Sequence, residues 1–433
     1  MKHLFTLLMI FSAFTAFSQS EITIVADNLS QPVGIEPGPE GTILVAEAGT
    51  GQNDGGVTAI HPVLGQVKVL DSMPSYFDTV SQEVVGPMRV QMLDETMAAV
   101  FISEVPGPLG SSILIYDARD LLLSGGTLGP DDALHQIKVG EYVLSQGYEA
   151  SNPFSLVHNG CDMYIVDAAA NAIIRRNGLT GVMSVFAEFD QVANPLPFGP
   201  PMTDAVPTRI VRDTSGFLVS SLTGFPFADS VSKVYAVDDE GNVSVRDSGY
   251  TLVTDMTLDP EGDGFFALQM ATFRSDSTPP FVINSAIITQ THADGSRDTV
   301  ASGFGPSPGL FVAGDGSFYV TNLFAGTVTR IEPTSTSLTK PAVKILKSMQ
   351  VFPNPAENDI NLRYDLKESG DTHIEIFNSL GQNIVRKEIG HQQSGSQNIR
   401  VDLSSLNSTP GQVYYILLKS GKSWFQSAFT TGR

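Results

Sequence analysis

Six times along the chain an apolar run closes on a polar residue. The copies are Leu44-Val45-Ala46-Glu47, Phe101-Ile102-Ser103-Glu104, Tyr164-Ile165-Val166-Asp167, Leu218-Val219-Ser220-Ser221, Phe266-Ala267-Leu268-Gln269 and Tyr319-Val320-Thr321-Asn322. Successive copies lie between 48 and 63 residues apart, which marks a repeat architecture. Most are preceded by a second short apolar segment and a turn, as in GIEPGPEG, RIVRDTSG, MTLDPEGDG and GLFVAGDG. Glycine in these turns accepts the positive φ that tight hairpins require. Two further alternating segments follow, for example residues 56–62 and 66–70, or 172–177 and 182–189, so each unit holds four short strands. Six four-stranded antiparallel units arranged radially predict an all-β chain with a six-bladed β-propeller.

Residues 21–26 (EITIVA) have no unit of their own, and the last unit offers only residues 327–331 (TVTRI) as a third strand. The two segments are therefore expected to pair and close the ring, which removes edges that would otherwise invite aggregation. After residue 332 the blade pattern gives way to a stretch rich in Ser, Thr, Pro and Lys, as a linker would be. Alternating strands resume beyond it, at residues 360–364, 373–377, 383–388, 398–402, 413–418 and 424–429, and predict a small β-sandwich. The expected division is residues 1–18, 19–333, 334–349 and 350–433: leader, propeller, linker and C-terminal domain.

The leader is read from Lys2, the apolar run LFTLLMIFSAF and the small residues Ala16 and Ser18 ahead of a cut near Ser18 or Ser20. That run is short for a membrane span, and no later segment reaches spanning length. A formal charge of −21 opposes nucleic acid and anionic lipid as partners. Cys161 is the only cysteine, so no intramolecular disulfide can form. In the turn HNGCD it reads as a small structural residue, with His158 the sole local base for any thiol chemistry.

Three phrases of the tail, VFPNPAEN, HIEIFNSLGQNIV and GQVYYILLKSG, resemble the C-terminal sorting domain of the type IX secretion system of Bacteroidetes. The resemblance implies handling by that machinery and a secreted, extracellular or outer-membrane-surface location. An adhesive immunoglobulin-like module is the alternative reading of the same strands. In the body, Gln31-Pro32-Val33-Gly34, residues 44–56, residues 152–176, Val206-Pro207-Thr208 and Leu222-Thr223-Gly224-Phe225-Pro226-Phe227 resemble the ScyD/ScyE family of secreted, NHL-like propeller proteins. That family implies no reaction that can be assigned to particular residues, so the leading expectation is a binding or scaffold protein whose partner is a glycan or an envelope protein.

The repeat places Glu47, Glu104, Asp167, Ser221, Gln269 and Asn322 on one rim, near Gln31, Asn152, Thr208, Asp255 and Ser307 at the entrances of the inner strands. Such an oxygen-rich funnel would suit Ca²⁺ or a hydroxylated ligand. Glu47, Glu104, Asp167, Asn152, Asp255 and Asn322 are the expected ligand contacts, and Glu47, Asp167, Asn152 and Asp255 the expected metal ligands. The competing reading is that polar residues at strand ends receive backbone N–H groups. Arg89 is a candidate internal counter-charge for the acidic members.

Calcium-dependent lactonases of the gluconolactonase type carry acidic and amide residues at inner-strand entrances, which makes such a hydrolase the alternative function. Asn152 and Asp255 fit that pattern; Gly34 and Thr208 depart from it. His61, His135, His158 and His292 fall in turns or at strand edges and so do not offer the channel histidine of a quinoprotein dehydrogenase. Asn53 and Asp54 in the loop GTGQNDGG could donate oxygens to calcium, although a rim loop is the simpler reading.

Overall fold

The second strand of each expected blade is apolar on both faces, which is what a strand sandwiched between two neighbouring sheets requires. The computed structural model bears this out; it describes residues 22–79, 81–123, 127–260, 262, 264–277, 280–332, 346–356, 358–366, 369–378, 383–404, 413–420 and 423–432. The chain forms a six-bladed β-propeller followed by a small β-sandwich. The expected leader at residues 1–18 and most of the expected linker lie outside the described residues.

From the axis outward, the first blade is Pro32–Pro37, Ile43–Glu47, Gly55–His61 and Gly65–Met73. The second is Pro87–Met92, Met97–Ile102, Ser112–Asp117 and a short His135–Ile137. The third is Pro153–Asn159, Asp162–Asp167, Ala172–Arg176 and Met183–Glu188. Pro207–Asp213, Gly216–Ser221, Ser232–Val237 and Val243–Tyr250 make the fourth. Val253–Leu258, Phe265–Gln269, Ala286–Thr291 and Arg297–Phe304 make the fifth. The sixth takes Leu310–Val312, Phe318–Asn322 and Thr327–Ile331, and its outer strand is the N-terminal Ile22–Ala26. That strand pairs antiparallel with Thr327–Ile331, Ile22 opposite Ile331, so the ring closes as the repeat anticipates.

The core is divided into six apolar wedges, each between adjacent blades. Leu44 and Val57 meet Val90 and Val100 between the first and second blades, and Ala26 and Val328 meet Ile35 and Val45 across the seam. Inner strands also touch their neighbours around a closed circle. Gly34 permits one of the close approaches: a Cβ there would stand 2.6 Å from Met88 O and 2.8 Å from Arg89 Cα.

The longest repeat spacing has a structural cause. Between its third and fourth strands the second blade inserts the helix Ala118–Leu123, and a second helix, Val139–Ser145, follows the fourth. The inserted segment runs back to the first blade, where Leu128 N donates to Val69 O and Asp71 N donates to Leu128 O, both at 3.0 Å. The insertion thus covers part of an outer strand edge.

In the tail, a five-stranded sheet and a three-stranded sheet enclose one core that includes Ile360, Leu362, Ile374, Ile376, Val401, Ile416, Phe425 and Phe429. Its five-stranded sheet begins at Leu346–Ser348, which runs parallel to Ser423–Thr430. Those residues fall in the segment read from sequence as linker, because a three-residue edge strand leaves little periodicity to detect.

Removal of residues 22–26 should expose Thr327–Ile331 as an unpaired edge; size-exclusion chromatography is expected to show loss of the monomer to aggregates.

Candidate functional site

In four blades the last polar residue of the second strand stands opposite the first residue of the inner strand. The pairs are Pro32 with Glu47, Pro153 with Asp167, Pro207 with Ser221 and Val253 with Gln269. The inner strands of these blades, and of the second, are bulged within their first three residues or so. Bulges re-aim side chains. Two residues after the strand start stand Gly34, Arg89, Ser155, Arg209, Asp255 and, by the same count from Ser307, Gly309.

At the centre of the ring Arg89 and Asp255 form a buried ion pair, Nη2 to Oδ2 at 3.0 Å, each side chain 1% exposed. Arg89 also donates from Nε to Phe154 O at 3.2 Å and lies 3.6 Å from Glu36 Oε2. Arg209 Nη2 donates to Glu36 Oε1 at 3.1 Å, and its Nε lies 3.7 Å from Asp255 Oδ1. Leu310 N completes the coordination of Asp255 Oδ2 at 3.0 Å. Residues from the first, second, fourth and fifth blades are thereby joined through two guanidinium and two carboxylate groups, with main-chain groups of the third and sixth. Burial, and the nearby Arg209, lower the pKa of Arg89, opposed by Asp255 and Glu36. For Arg209 burial acts the same way, but Glu36 and Asp255 outweigh it and raise its pKa. Arginine stays charged throughout the working pH range, so the network carries balanced charge.

Elsewhere on the rim, the polar strand ends tie down the loops that enter the inner strands. Glu47 Oε2 accepts from Ser30 N at 2.7 Å, while Oε1 accepts from Thr58 Oγ1 at 2.5 Å and Lys68 Nζ at 2.9 Å. Asp167 accepts from the Ser151 hydroxyl, Asn152 N at 2.8 Å and Ala170 N at 3.0 Å. Gln269 Oε1 accepts from Thr251 N at 2.8 Å, and Asn322 Oδ1 from Ala325 N at 3.1 Å. Asn152 enters the third blade with its backbone N–H held by Asp167.

Glu104 departs from its expected register. Ile102, not Glu104, stands opposite Pro87, and Ser103 Oγ accepts from Gly86 N at 3.1 Å. A serine thus takes the tying role in the second blade, one residue before the expected Glu104. Glu104 is an exposed residue whose carboxyl pKa is raised by partial desolvation, then by Asp167, Asp78 and Glu83. Glu83 is raised by burial and by Asp78, and Asp167 by burial despite its three donors.

The expected convergence of Glu47, Asp167, Asn152 and Asp255 is not found. Among the described residues no three acidic, histidine or cysteine side chains are grouped to hold a metal. The reason is chemical: Lys68 occupies Glu47, backbone donors occupy Asp167, and two guanidinium groups stand beside Asp255, where a cation would be repelled. This donor set does not fit Ca²⁺. Asp54 instead caps its own loop, accepting from Thr50 N at 2.8 Å and Thr50 Oγ1 at 2.6 Å.

Sequence reasoning identified Arg89 as a counter-charge and missed Glu36, Arg209 and Lys68. Aligning the units on Pro32, Pro87, Pro153 and Pro207 would have exposed the axial position two residues later. Lys68 carries no comparable signal, since it reaches Glu47 from a neighbouring strand pair.

Long loops of the fourth and fifth blades gather five phenylalanines on the face where the second strands end. Ring centroids of Phe227 and Phe273 lie 5.1 Å apart, Phe273 and Phe281 5.4 Å, and Phe198 and Phe225 6.5 Å. Phe225 is 51% exposed and Phe198 42%. Thr203 Oγ1 donates to Phe225 O at 3.1 Å and Arg274 pairs with Asp229 at 2.7 Å, which fixes the loops beneath the rings. Cys161, also exposed, sits at the opposite end of the third blade, in the turn between its first two strands.

Residues 350–428 match the family model described as the secretion system C-terminal sorting domain. That domain marks the protein for the type IX machinery and for a location outside the cell or on its surface. No described helix is long and apolar enough to cross a membrane. No curated protein matches the sequence. Among solved structures, a Bacteroides thetaiotaomicron protein of unknown function aligns at 12% identity and a TM-score of 0.47, covering 72% of this chain and 76% of its own. A gluconolactonase from Xanthomonas campestris aligns at 10% identity and a TM-score of 0.46, covering 73% and 90%.

Arg89→Met would leave the buried Asp255 with Arg209 as its one remaining counter-charge, 3.7 Å away; urea denaturation is expected to show a loss of about 3 kcal/mol, smaller when Asp255→Leu is added. The raised pKa of Glu104 means that the native state holds the proton more tightly than the unfolded chain. Stability gained from that proton appears as pH falls from above the raised value toward the ordinary 4.5. Glu104→Gln should therefore stabilise by about 0.5 kcal/mol at neutral pH and be nearly neutral once Glu104 is protonated, as read from melts across that range.

Proposed function

We propose that the protein is a ScyD/ScyE-type propeller that acts outside the cell as a non-catalytic binding or scaffold protein, with a glycan or envelope protein as its partner. The division into a leader at residues 1–18, a ring at 19–333, a linker at 334–349 and a sorting tail from 350 belongs to the same reading. The observation that carries it is the phenylalanine shelf. Five rings on pre-ordered loops, two of them broadly exposed, form a surface patch of the kind that marks interaction sites.

The centre of the ring supports the same reading from the other side. Its two carboxylates, Glu36 and Asp255, each face arginine, so neither is poised as a general base or metal ligand. Contact at the shelf would combine ring stacking with the apolar area of Phe225 and Phe198, and needs no rearrangement of the blades beneath.

Co-sedimentation of the mature protein with outer-membrane and polysaccharide fractions of the producing bacterium tests this. Saturable binding is expected, weakened about tenfold or more by Phe225→Ser with Phe198→Ser, while the melting temperature stays close to that of the native protein. Hydrolysis of gluconolactone above the uncatalysed rate, dependent on calcium, would establish the lactonase instead.

A further inference from the structure

A second candidate site lies in the cleft between residues 27–30, which lead from the outer strand of the sixth blade, and the first blade. Its cavity of about 410 Å³ falls in the lower part of the range used for small molecules. The wall is held rigid: Asp27 N donates to Gln66 Oε1 at 3.1 Å and Gln66 Nε2 donates to Asp27 O at 2.7 Å. Leu29 N is fixed to Gly326 O at 3.0 Å, and Ser30 N to Glu47.

At the base stands the Glu47–Lys68 pair, with Glu47 3% exposed and Lys68 31%. Gly56 makes that pair attainable. A Cβ there would collide with Leu70 O and stand 2.6 Å from Lys68 Cε, so only glycine lets the lysine stem cross the strand to the carboxylate. The Lys68 ammonium donates to Glu47 and to no other described residue, leaving two N–H groups for a ligand. Asp27, on the rim, uses one carboxylate oxygen to accept from Asn28 Nδ2 at 2.7 Å. The cleft therefore offers donors and acceptors side chain by side chain, with Lys68 neutralised by Glu47 and Asp27 adding one negative charge.

We propose that this cleft binds a neutral saccharide, whose hydroxyls both donate and accept, held between Lys68 and Asp27. The residual negative charge disfavours phosphate and carboxylate ligands. This site goes beyond the shelf described above and uses different blades, so the two can fail separately.

The test is calorimetric titration of the mature chain with glucose, galactose, N-acetylglucosamine and maltose, with inorganic phosphate and glycine as controls. Saturable binding of at least one saccharide below about 10 mM is expected, weakened about tenfold or more by Lys68→Met and by Asp27→Ala. Asp27→Ala serves as the variant that keeps the fold, because Asp27 meets Gln66 through its backbone alone; its melting temperature should match that of the native chain. Phe225→Ser should leave saccharide binding unchanged. The proposal is overturned if no saccharide binds, if binding survives both cleft substitutions, or if phosphate or glycine binds more tightly than every sugar.

Discussion

The buried network of Arg89, Asp255, Arg209 and Glu36 is the constraint on which the middle of this ring depends. Apolar wedges hold neighbouring blades together, but they act only between adjacent pairs. Side chains at the axis reach across, joining the first and second blades to the fourth and fifth. Charges taken out of water are costly unless each meets its opposite with good geometry. Once four blades have supplied two of each sign, the arrangement tolerates little rotation of one blade against another. The same balance leaves no unspent carboxylate on the axis for a metal or a proton transfer.

A second consequence is a division of labour over the rim. Glu47, Asp167, Gln269, Ser103 and Asn322 differ in type, yet each accepts a backbone N–H from a nearby loop. Polar residues recur at the strand ends because the chain must turn there and its N–H groups need acceptors. With those loops held from below, the longer ones are free to carry side chains outward. The fourth and fifth blades use this to present phenylalanines, and the first, with residues 27–30 that lead into it, encloses a polar cleft. Ring and tail therefore serve different ends: the sorting domain addresses the protein to the cell exterior, and the ring is the body it carries there.

By itself the sequence determined the blade count, the strand order and the closing seam, because each rests on local periodicity and turn chemistry that every unit repeats. Continuous apolar runs such as Met97–Ile102 announce strands buried on both faces, and the orphan segment before residue 27 announces its missing partner. The tail was legible for a similar reason, as alternating strands around phrases specific to a sorting domain. Legibility failed where periodicity was broken: the second strand of the second blade ends at Ile102, which leaves Glu104 beyond the ladder, and the three-residue strand at Leu346 gave no pattern. Only the tertiary structure decided what the polar residues do. Glu47 and Asp255 look alike in sequence, each an acid expected on the rim of the funnel, yet one meets a lysine from its own blade and the other two arginines, one from the adjacent blade and one from across the ring. Which opposite charge reaches a carboxylate depends on strand pairing, bulges and ring closure between residues far apart in the chain, and that pairing settles whether an acid binds a ligand, ties a loop or holds the ring together.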